Sequence, residues 1–352
     1  MRIALIHYRL VRNGGLETRL LNYMQYFSAL GHEVTVIVSK IDTTIVVPNG
    51  VKVVQVQLGK VPKPLRQYFL DKALRKIVVP GAFDVSLSMG RTSQQDLVLC
   101  PGNHLGYLKA LSKWWWSPMD MLNVYMDRKA FANSRCILAA SQMMRDELVE
   151  LYGVSAAKIK VLGPPIEIAK FHSTGKQEKE HWRKVHGFSD TIPTILFLTT
   201  GNKLKGYSFV LKIMQALVGE PIELVIAGMK PMKTNLPNVR FLGYAQNPQE
   251  LYWAADLLIL PSLYEAFGQV ITEALQCGTP VLVSDKVGAK EIIDPRVGRV
   301  LKGRNIIAWK NAILEMTSQE WDIPSDVAHQ HGLTTTQHCN RILEIASEIQ
   351  SR

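Results

Sequence analysis

The fold of this chain is decided by the stretch Leu257-Leu-Ile-Leu260-Pro-Ser-Leu-Tyr-Glu265-Ala-Phe-Gly268-Gln-Val-Ile-Thr-Glu273-Ala-Leu-Gln-Cys-Gly278-Thr-Pro280. Its four leading apolar residues predict a short buried strand, and the glycine that follows predicts a loop opening into a helix. Such a strand, loop and helix place backbone N–H groups where a phosphate can bind. Glu265 lies on the loop, and Glu273 lies eight residues later, about two helical turns along. Both carboxylates can then accept hydrogen bonds from sugar and ribose hydroxyls.

Strands and helices alternate on both sides of this stretch. Short apolar runs are separated by segments with helical spacing, a βαβ rhythm that implies parallel sheets. The predicted strands are residues 2–7, 34–38, 51–56 and 84–88 in the first half, and 195–198, 224–227, 239–242, 257–260 and 281–283 in the second. The sequence therefore predicts an α/β fold with two Rossmann-like domains.

The alternation stops near Val161-Leu-Gly-Pro-Pro165, and residues 172–193 are polar, charged and poor in periodicity. We therefore predict a domain boundary in this region, with an N-terminal domain at residues 1–165 and a second domain at 166–335. The last segment, 336–352, has amphipathic helical spacing and is predicted to pack back towards the N-terminal domain.

Composition limits the classes of protein. A chain of 352 residues can form two ordinary domains, and 47% hydrophobic with 20% charged residues excludes a largely disordered chain. The four cysteines are far apart, which indicates reduced thiols in a cytoplasmic protein and no zinc site. No secretion signal or membrane-spanning run is visible. Residues 1–170 hold 22 Lys and Arg against 12 Asp and Glu, which favours either an anionic partner or simple solubility.

A second loop follows the strand at 195–198 and reads Thr199-Thr-Gly-Asn-Lys203-Leu-Lys205-Gly206. A lysine on a loop beside a diphosphate stabilises the negative charge that builds up when a glycosidic bond to phosphate breaks. Lys205 is therefore a catalytic candidate, and Lys203 is a candidate for binding the same group.

A third loop, Asn13-Gly14-Gly15-Leu16-Glu17, follows the first strand. Two glycines let a backbone approach a ligand closely before a helix begins. The spacing differs from the Gly-x-Gly-x-x-Gly of nicotinamide-binding proteins, so a dehydrogenase is not indicated. A ligand-binding loop and a mere tight turn fit Gly14 and Gly15 equally well at this point.

Together these segments resemble the retaining glycosyltransferases of family 4, which have the GT-B fold of two Rossmann-like domains facing across a cleft. The resemblance rests on Glu265 and Glu273, which have seven residues between them, and on the Phe-Gly, Glu-Ala and Gly-Thr-Pro around them. A further segment, Cys100-Pro-Gly-Asn-His104-Leu-Gly-Tyr107-Leu, is similar to transferases that build the lipopolysaccharide core. In those enzymes the histidine borders the acceptor and the donor sugar, so the resemblance makes His104 a catalytic candidate, with a structural role as the alternative.

The resemblance implies a role for each remaining candidate. Glu265 would hold the donor sugar, and Glu273 would hold the ribose of the nucleotide. The donor diphosphate would be bound by the backbone amides of Phe267, Gly268 and Gln269. The N-terminal domain would be the acceptor side, with Gly14 and Gly15 facing the donor cleft, and residues 166–335 would bind the nucleotide sugar.

Two departures from the family pattern concern the same site. The family usually has Gly-Arg a few residues before Lys-Gly, but the arginine position falls near Thr200 here. Lys203 would substitute for the arginine, although a point charge does not reproduce its bidentate contact. Pro164-Pro-Ile-Glu167 replaces the usual Asn-Gly-Val-Asp, so the resemblance assigns no ligand role to Glu167.

A membrane surface is an open alternative as a partner. Residues 63–78 combine apolar Leu65, Tyr68, Phe69 and Leu74 with basic Arg66, Lys72, Arg75 and Lys76, a pattern typical of an interfacial helix. Lys113-Trp114-Trp115-Trp116 adds aromatic rings beside a cation. Packing inside the protein accounts for either segment equally well.

The predicted function is retaining transfer of a sugar from a nucleotide diphosphate sugar, with a UDP-sugar favoured, to a bacterial surface glycan or glycolipid such as lipopolysaccharide core. Neither a metal ion nor a cofactor besides the donor is expected, because Lys205 and helix amides would bear the developing charge. The rivals are a sugar-nucleotide epimerase on the same fold and an inactive nucleotide-sugar-binding subunit. No motif for nucleic-acid binding is present.

Overall fold

The computed structural model describes residues 1–12, 14–201 and 203–351. These residues form two compact units: unit 1 is Met1–Pro165 with Thr335–Arg352, and unit 2 is Ile166–Thr334. The chain therefore leaves unit 1 after residue 165 and returns to it for its last helix.

Each unit is built on one parallel sheet. The strands are β1 Arg2–Ile6, β2 Arg9–Leu10, β3 Glu33–Val38, β4 Lys40–Ile41, β5 Lys52–Gln55, β6 Val85–Ser88, β7 Leu97–Cys100, β8 Cys136–Ala139, β9 Ile159–Val161, β10 Thr194–Leu198, β11 Glu223–Ala227, β12 Val239–Gly243, β13 Leu257–Leu260, β14 Val281–Ser284 and β15 Gly298–Leu301. Unit 1 orders its seven-stranded sheet β5-β3-β1-β6-β7-β8-β9, beside a short β2-β4 pair, and unit 2 orders its six strands β12-β11-β10-β13-β14-β15. The α/β class with two Rossmann-like sheets is confirmed.

Helices connect the strands in both units. They are α1 Gly15–Ala29, α2 Arg66–Leu74, α3 His104–Ala110, α4 Pro118–Asn133, α5 Gln142–Tyr152, α6 Lys179–His186, α7 Tyr207–Ala216, α8 Pro248–Ala254, α9 Gln269–Gln276, α10 Ile306–Thr317, α11 Val327–Gln330 and α12 Thr335–Gln350. Among the described residues, no helix is both long and apolar enough to cross a membrane.

Sequence periodicity found the central strands and missed several others. All nine predicted strands are present, but β2, β4, β7, β8, β9 and β15 were not predicted. Residues 172–193, which are poor in periodicity, nevertheless contain regular structure: Ser173–Glu178 forms a 3-10 helix and α6 follows it. The only buried residue of α6 is Arg183, whose Nη1 lies 2.8 Å from Asp256 Oδ2. This ion pair and the packing of Trp182 on Trp253 anchor the helix in the absence of an apolar stripe, which is why periodicity did not show it.

The last helix belongs to the core of unit 1. α12 contributes Ile342, Ile345 and Ile349 to the same buried cluster as β1 and α1. On α12, the buried His338 places Nδ1 2.8 Å from Gly163 O, and burial lowers its pKa to about 3. The imidazole therefore stays neutral. Its contact with Gly163 holds α12 next to the segment at which the chain leaves unit 1.

Strand order locates where each unit binds ligands. In unit 1 the direction of winding reverses between β1 and β6, and in unit 2 it reverses between β10 and β13. Open α/β sheets bind ligands outside the carboxyl ends of the strands at such a switch point. The loops after β1, β6, β10 and β13 are therefore the segments in which functional side chains are expected.

Candidate active site

Glu265 lies on the loop after β13, at the switch point of unit 2. The loop after β14 holds its backbone in place: Glu265 N donates to Lys286 O at 3.0 Å, and Gly288 N donates to Glu265 O at 2.9 Å. Burial raises the pKa of the Glu265 carboxyl, and the nearby Lys205 ammonium partly offsets that rise. The carboxylate is thus placed in a partly buried position beside a positive charge.

The N-terminus of α9 follows directly. Gly268 is its N-cap with a φ of 96°, and a Cβ there would lie 3.1 Å from Val287 and 3.2 Å from Glu265. A side chain at this position would be strained by the backbone conformation and would crowd its neighbours. The backbone N–H groups of Phe267 and Gly268 donate to no group in the described part of the chain. Gln269 is the first helical residue, so this helix end presents its positive dipole to an anion.

Glu273 lies one helical turn into α9. Tyr252, from α8, donates its hydroxyl to Glu273 Oε2 at 2.7 Å. Burial raises the pKa of Glu273, and Tyr252 together with nearby lysines, Lys205 among them, opposes that effect. Oε2 is therefore held by the protein, and Oε1 has no hydrogen-bond partner in the part of the chain that the structure describes.

Lys205 ends a 3-10 turn, Lys203–Lys205, that follows β10. This turn is tied to the loop after β13, because Leu263 N donates to Leu204 O at 2.7 Å. Gly206 follows with a φ of +84°, and a Cβ there would lie 2.3 Å from Pro261 O. The close approach that Gly206 permits brings the turn against the Glu265 loop.

The Lys205 side chain is partly buried and has no hydrogen bond or ion pair within residues 1–12, 14–201 and 203–351, whereas Lys203 is exposed. The ammonium nevertheless acts on the pKa of both Glu265 and Glu273. These three candidates therefore lie around one region of unit 2. Two carboxylates and a cation that do not pair with each other leave room for a ligand with hydroxyls and negative charge.

Gly14 and Gly15 belong to unit 1, and their neighbour Asn13 lies outside the described residues. Gly14 has a φ of 128°, and a Cβ there would lie 2.0 Å from Glu17 Oε2. Burial alone would raise the pKa of Glu17, but a hydrogen bond from Arg9 brings it below the usual value. An ionised carboxylate thus already occupies the N-terminus of α1. Donor binding by Gly14 and Gly15 stays a prediction.

His104 also lies in unit 1, as the first residue of α3. Its backbone N–H donates to Asp127 Oδ2 at 2.8 Å, and its ring Nε2 lies 2.9 Å from Asp120 Oδ1. Lys113 and Ser117 also donate to Asp120, and the Lys113 contact is the main reason that the pKa of Asp120 is well below its usual range. The ionised Asp120 carboxylate accepts this contact and fixes the orientation of the His104 ring.

The sequence analysis did not identify the residues whose hydrogen bonds position the candidate site residues. Tyr252, Asp120 and Asp127 each bind a candidate side chain or its backbone. Each is separated from its partner by 16 or more residues, and nothing in the local pattern connects them. No cluster of three or more His, Cys, Asp or Glu side chains suited to a metal ion occurs among the described residues.

Comparison with known protein families matches both halves of the chain. Residues 13–170 match the model "Glycosyltransferase Family 4", and residues 178–330 match "Glycosyl transferases group 1". The chain is a glycosyltransferase with a family 4 domain followed by a group 1 domain. The second match contains Lys205, Glu265 and Glu273, so the candidate site of unit 2 lies within the group 1 domain of this glycosyltransferase.

Relatives of this glycosyltransferase include the "Probable transglycosylase" of Burkholderia thailandensis, which is 27% identical over all of this chain and 98% of its own length. Further curated relatives align over about half of their length. The crystal structure of WaaG, a glycosyltransferase involved in lipopolysaccharide biosynthesis, matches with a TM-score of 0.75 and 17% identity over 96% of this chain and 94% of WaaG. Anabaena HepE in complex with UDP-glucose matches with a TM-score of 0.73 and 16% identity over 99% and 100%. At these identities the structures establish the GT-B fold of the enzyme.

Proposed function

We propose that this glycosyltransferase moves a sugar from a nucleotide diphosphate sugar, with a UDP-sugar favoured, to a hydroxyl of a bacterial surface glycan or glycolipid such as lipopolysaccharide core, with retention at the anomeric carbon. The observation that carries the proposal is the arrangement at the switch point of unit 2. Lys205 and Glu265 follow the two strands that flank it, and the open N-terminus of α9 lies beside them. The structural similarity to WaaG, which is involved in lipopolysaccharide biosynthesis, and to HepE, which was crystallised with UDP-glucose, supports the acceptor and donor classes.

The proposed chemistry balances without a nucleophile from the protein. The bond between the anomeric carbon and the phosphate oxygen breaks, and the acceptor oxygen forms its bond on the same face. The acceptor proton moves to the departing phosphate oxygen. Lys205 and the amides of Phe267 and Gly268 stabilise the charge that develops on the diphosphate. Glu265 and Glu273 accept hydrogen bonds from the hydroxyls of the sugar and the ribose.

Donor binding and turnover test this proposal on the purified chain. A ligand that binds only the folded state raises the melting temperature, so UDP-sugars are expected to stabilise the protein more than other nucleotide sugars do. Turnover is expected to continue in EDTA, because Lys205 and helix amides occupy the role of a metal ion. Loss of activity in EDTA that magnesium restores would contradict metal independence. Conversion of a UDP-sugar to its epimer without acceptor would favour the epimerase, and absence of any turnover would favour a binding subunit.

We further propose that unit 1 makes peripheral contact with the cytoplasmic face of the inner membrane. The outer face of α2 exposes Tyr68, Phe69 and Lys72, while Leu70 and Leu74 enter the core. A second exposed surface is the loop before α4, in which Trp114 is 89% exposed. Exposed aromatic rings next to basic residues suit the interface of an anionic bilayer.

The basic part of this surface is smaller than the sequence predicted. Arg66 donates to Val61 O and Tyr8 OH, and Lys113 forms an ion pair with Asp120. Three exposed cations remain on α2 and directly after it, and these are Lys72, Arg75 and Lys76. At about 1 kcal/mol for each cation near an anionic leaflet, attachment is expected to be weak and reversible.

Cosedimentation with vesicles containing phosphatidylglycerol tests the membrane proposal. Replacement of Lys72 and Lys76 by Glu is expected to lower the bound fraction by more than tenfold at low salt, because two attractive charges become repulsive. Lys302→Glu, an exposed lysine of unit 2, serves as the control. No binding of the unmodified protein at low salt, or equal losses in both variants, would contradict the proposal.

A further inference from the structure

A cavity of about 280 Å³ opens at the carboxyl edge of the unit 1 sheet. It is lined by the segment after β6, including Gly90 and Arg91, and by the segment after β7. Because β6 flanks the switch point of unit 1, the cavity lies where sheets of this class bind ligands. The cavity belongs to unit 1, whereas Lys205, Glu265 and Glu273 of the candidate donor site belong to unit 2.

The floor and the rim of this cavity differ in chemistry. Apolar side chains from β7 and α4, Val98 and Phe131 among them, form the floor. Gln67 from α2, Arg91 and Asn123 from α4 form a polar rim. A floor of this kind packs against the carbon face of a sugar ring, while the rim groups can bind its substituents.

The rim groups are not used by the fold. Across residues 1–12, 14–201 and 203–351, Gln67 and Asn123 have no hydrogen bond through their side-chain amides. Arg91 donates only Nε, to Asp127 Oδ1 at 2.6 Å, and its two terminal nitrogens have no recorded partner. Gly90 makes room for the rim, since a Cβ there would lie 2.9 Å from Gln67 Nε2.

Asp127 holds the guanidinium in a fixed orientation. The Asp127 side chain is only 3% exposed, and its Oδ2 accepts hydrogen bonds from His104 N at 2.8 Å and Tyr152 OH at 2.9 Å. These contacts, and the positive end of α3 from which His104 N points, neutralise part of the carboxylate charge. The terminal N–H groups of Arg91 therefore still present positive charge to the cavity, in a fork that matches a phosphate or carboxylate.

The net charge of unit 1 also favours the binding of anions. Residues 1–165 and 335–352 together contain 23 Lys and Arg against 13 Asp and Glu. An excess of ten positive charges attracts anionic ligands towards unit 1 and raises their rate of association.

We infer that this cavity binds an anionic sugar residue of the acceptor, with Arg91 on its phosphate or carboxylate group and with Gln67 and Asn123 on its hydroxyls. The inference rests on the proposed function insofar as the bound saccharide is the acceptor. Arg91 is then a specificity-determining residue that selects acceptors by charge. Binding of an anionic sugar in this cavity is expected whether or not the enzyme then transfers a donor sugar to it.

Binding of simple saccharides to the full chain tests the assignment. The probes are glucose 6-phosphate, glucuronate, glucose and inorganic phosphate, with affinities measured by ligand-observed NMR. Glucose 6-phosphate or glucuronate is expected to bind at least tenfold more tightly than glucose, and whichever binds tighter identifies the anionic group. Arg91→Gln, which can still donate to Asp127, is expected to weaken that binding about tenfold to a hundredfold, as loss of a charge-assisted pair does.

Two further variants separate binding from folding. Asn123→Ala leaves the Arg91–Asp127 pair intact and is expected to weaken the anionic sugar several-fold without a change in melting temperature. Arg128→Gln removes an exposed arginine next to Asp127 on the same helix and is expected to leave binding unchanged. Equal affinity of the unmodified protein and Arg91→Gln for the anionic sugars, or equal affinity for glucose and glucose 6-phosphate, would overturn the inference. Binding of phosphate alone as tightly as glucose 6-phosphate would overturn the saccharide part.

UDP binding to the same variants distinguishes a failure of this inference from a failure of the proposed function. UDP is expected to bind the unmodified protein and Arg91→Gln equally, because the candidate donor site lies in unit 2. If UDP binds neither protein while glucose 6-phosphate discriminates between them, the proposed donor fails and the anionic subsite stands. If UDP binds both and no saccharide discriminates, the subsite fails and the donor proposal stands.

Discussion

Replacement of Lys205 by alanine is expected to lower turnover about 100- to 1,000-fold, the effect typical of removing a preorganised charge partner of a leaving group. Lys205 is partly buried beside Glu265 and Glu273 and has no ion-pair partner in the described ranges. Its charge is thus available to the departing diphosphate in a medium of lower dielectric than water. The loss is expected mainly in kcat, because the charge on the diphosphate is larger in the transition state than in the bound donor.

Two other lysines make this experiment specific. Lys212→Ala removes an exposed charge on α7, in the same unit, and is expected to leave turnover unchanged. Lys203 belongs to the same 3-10 turn but is exposed, so Lys203→Ala is expected to lower turnover less than tenfold. Steady-state kinetics with a UDP-sugar donor measures all three. Near-normal kcat for Lys205→Ala would remove Lys205 from the mechanism, and a larger loss for Lys203→Ala would assign the role to Lys203.

Gly206→Ala is expected to destabilise unit 2 by about 2 to 5 kcal/mol and to weaken donor binding, whereas Gly201→Ala is expected to cost only about 1 to 2 kcal/mol. Both glycines have a φ of +84°, so each substitution forces a side chain into the left-handed region. The two positions differ in the space available to a side chain. A Cβ at Gly206 would lie 2.3 Å from Pro261 O, whereas a Cβ at Gly201 would have no atom within 4 Å. The difference between the two variants therefore measures the close approach of the Lys205 turn to the loop after β13.

Thermal unfolding and UDP titration of both variants give the readouts. Gly206→Ala is expected to lower the melting temperature several degrees more than Gly201→Ala, given about 2–4 °C per kcal/mol for a domain of this size. Its UDP affinity is expected to fall because Lys205 moves with the turn. Equal losses of stability in the two variants would show that backbone conformation alone matters at Gly206 and that the contact with Pro261 does not hold the turn.

Local sequence pattern was sufficient for the parts of the site that one βα unit contains. The strand β13, the Glu265 loop and the N-terminus of α9 are contiguous, and their order alone determines that a carboxylate and backbone amides meet at the carboxyl edge of the sheet. The turn with Lys205 was predicted for the same reason, since it follows β10. Assignment of these residues to donor binding and catalysis stays a prediction until the variants are measured.

The local sequence pattern did not predict features that depend on tertiary contacts. α6 has no apolar stripe, and one of its anchors is the pair between Arg183 and Asp256, which lie 73 residues apart. The role of Gly14 was predicted as approach to a ligand, yet its first neighbour is the side chain of Glu17, which occupies the N-terminus of α1. No count of local periodicity reveals either contact, because each depends on which elements become neighbours.

The amino-acid sequence by itself determined the α/β class, the central strands and the presence of carboxylates and a lysine after the strands of unit 2, because period, turn residues and βα order are properties of neighbours along the chain. Only the tertiary structure decided which groups support them. Tyr252 holds Glu273, Asp120 orients His104, and Asp127 fixes Arg91 at the cavity of unit 1. Hydrogen bonds between distant segments require the folded sheet to bring their partners within about 3 Å, so only packing specifies them.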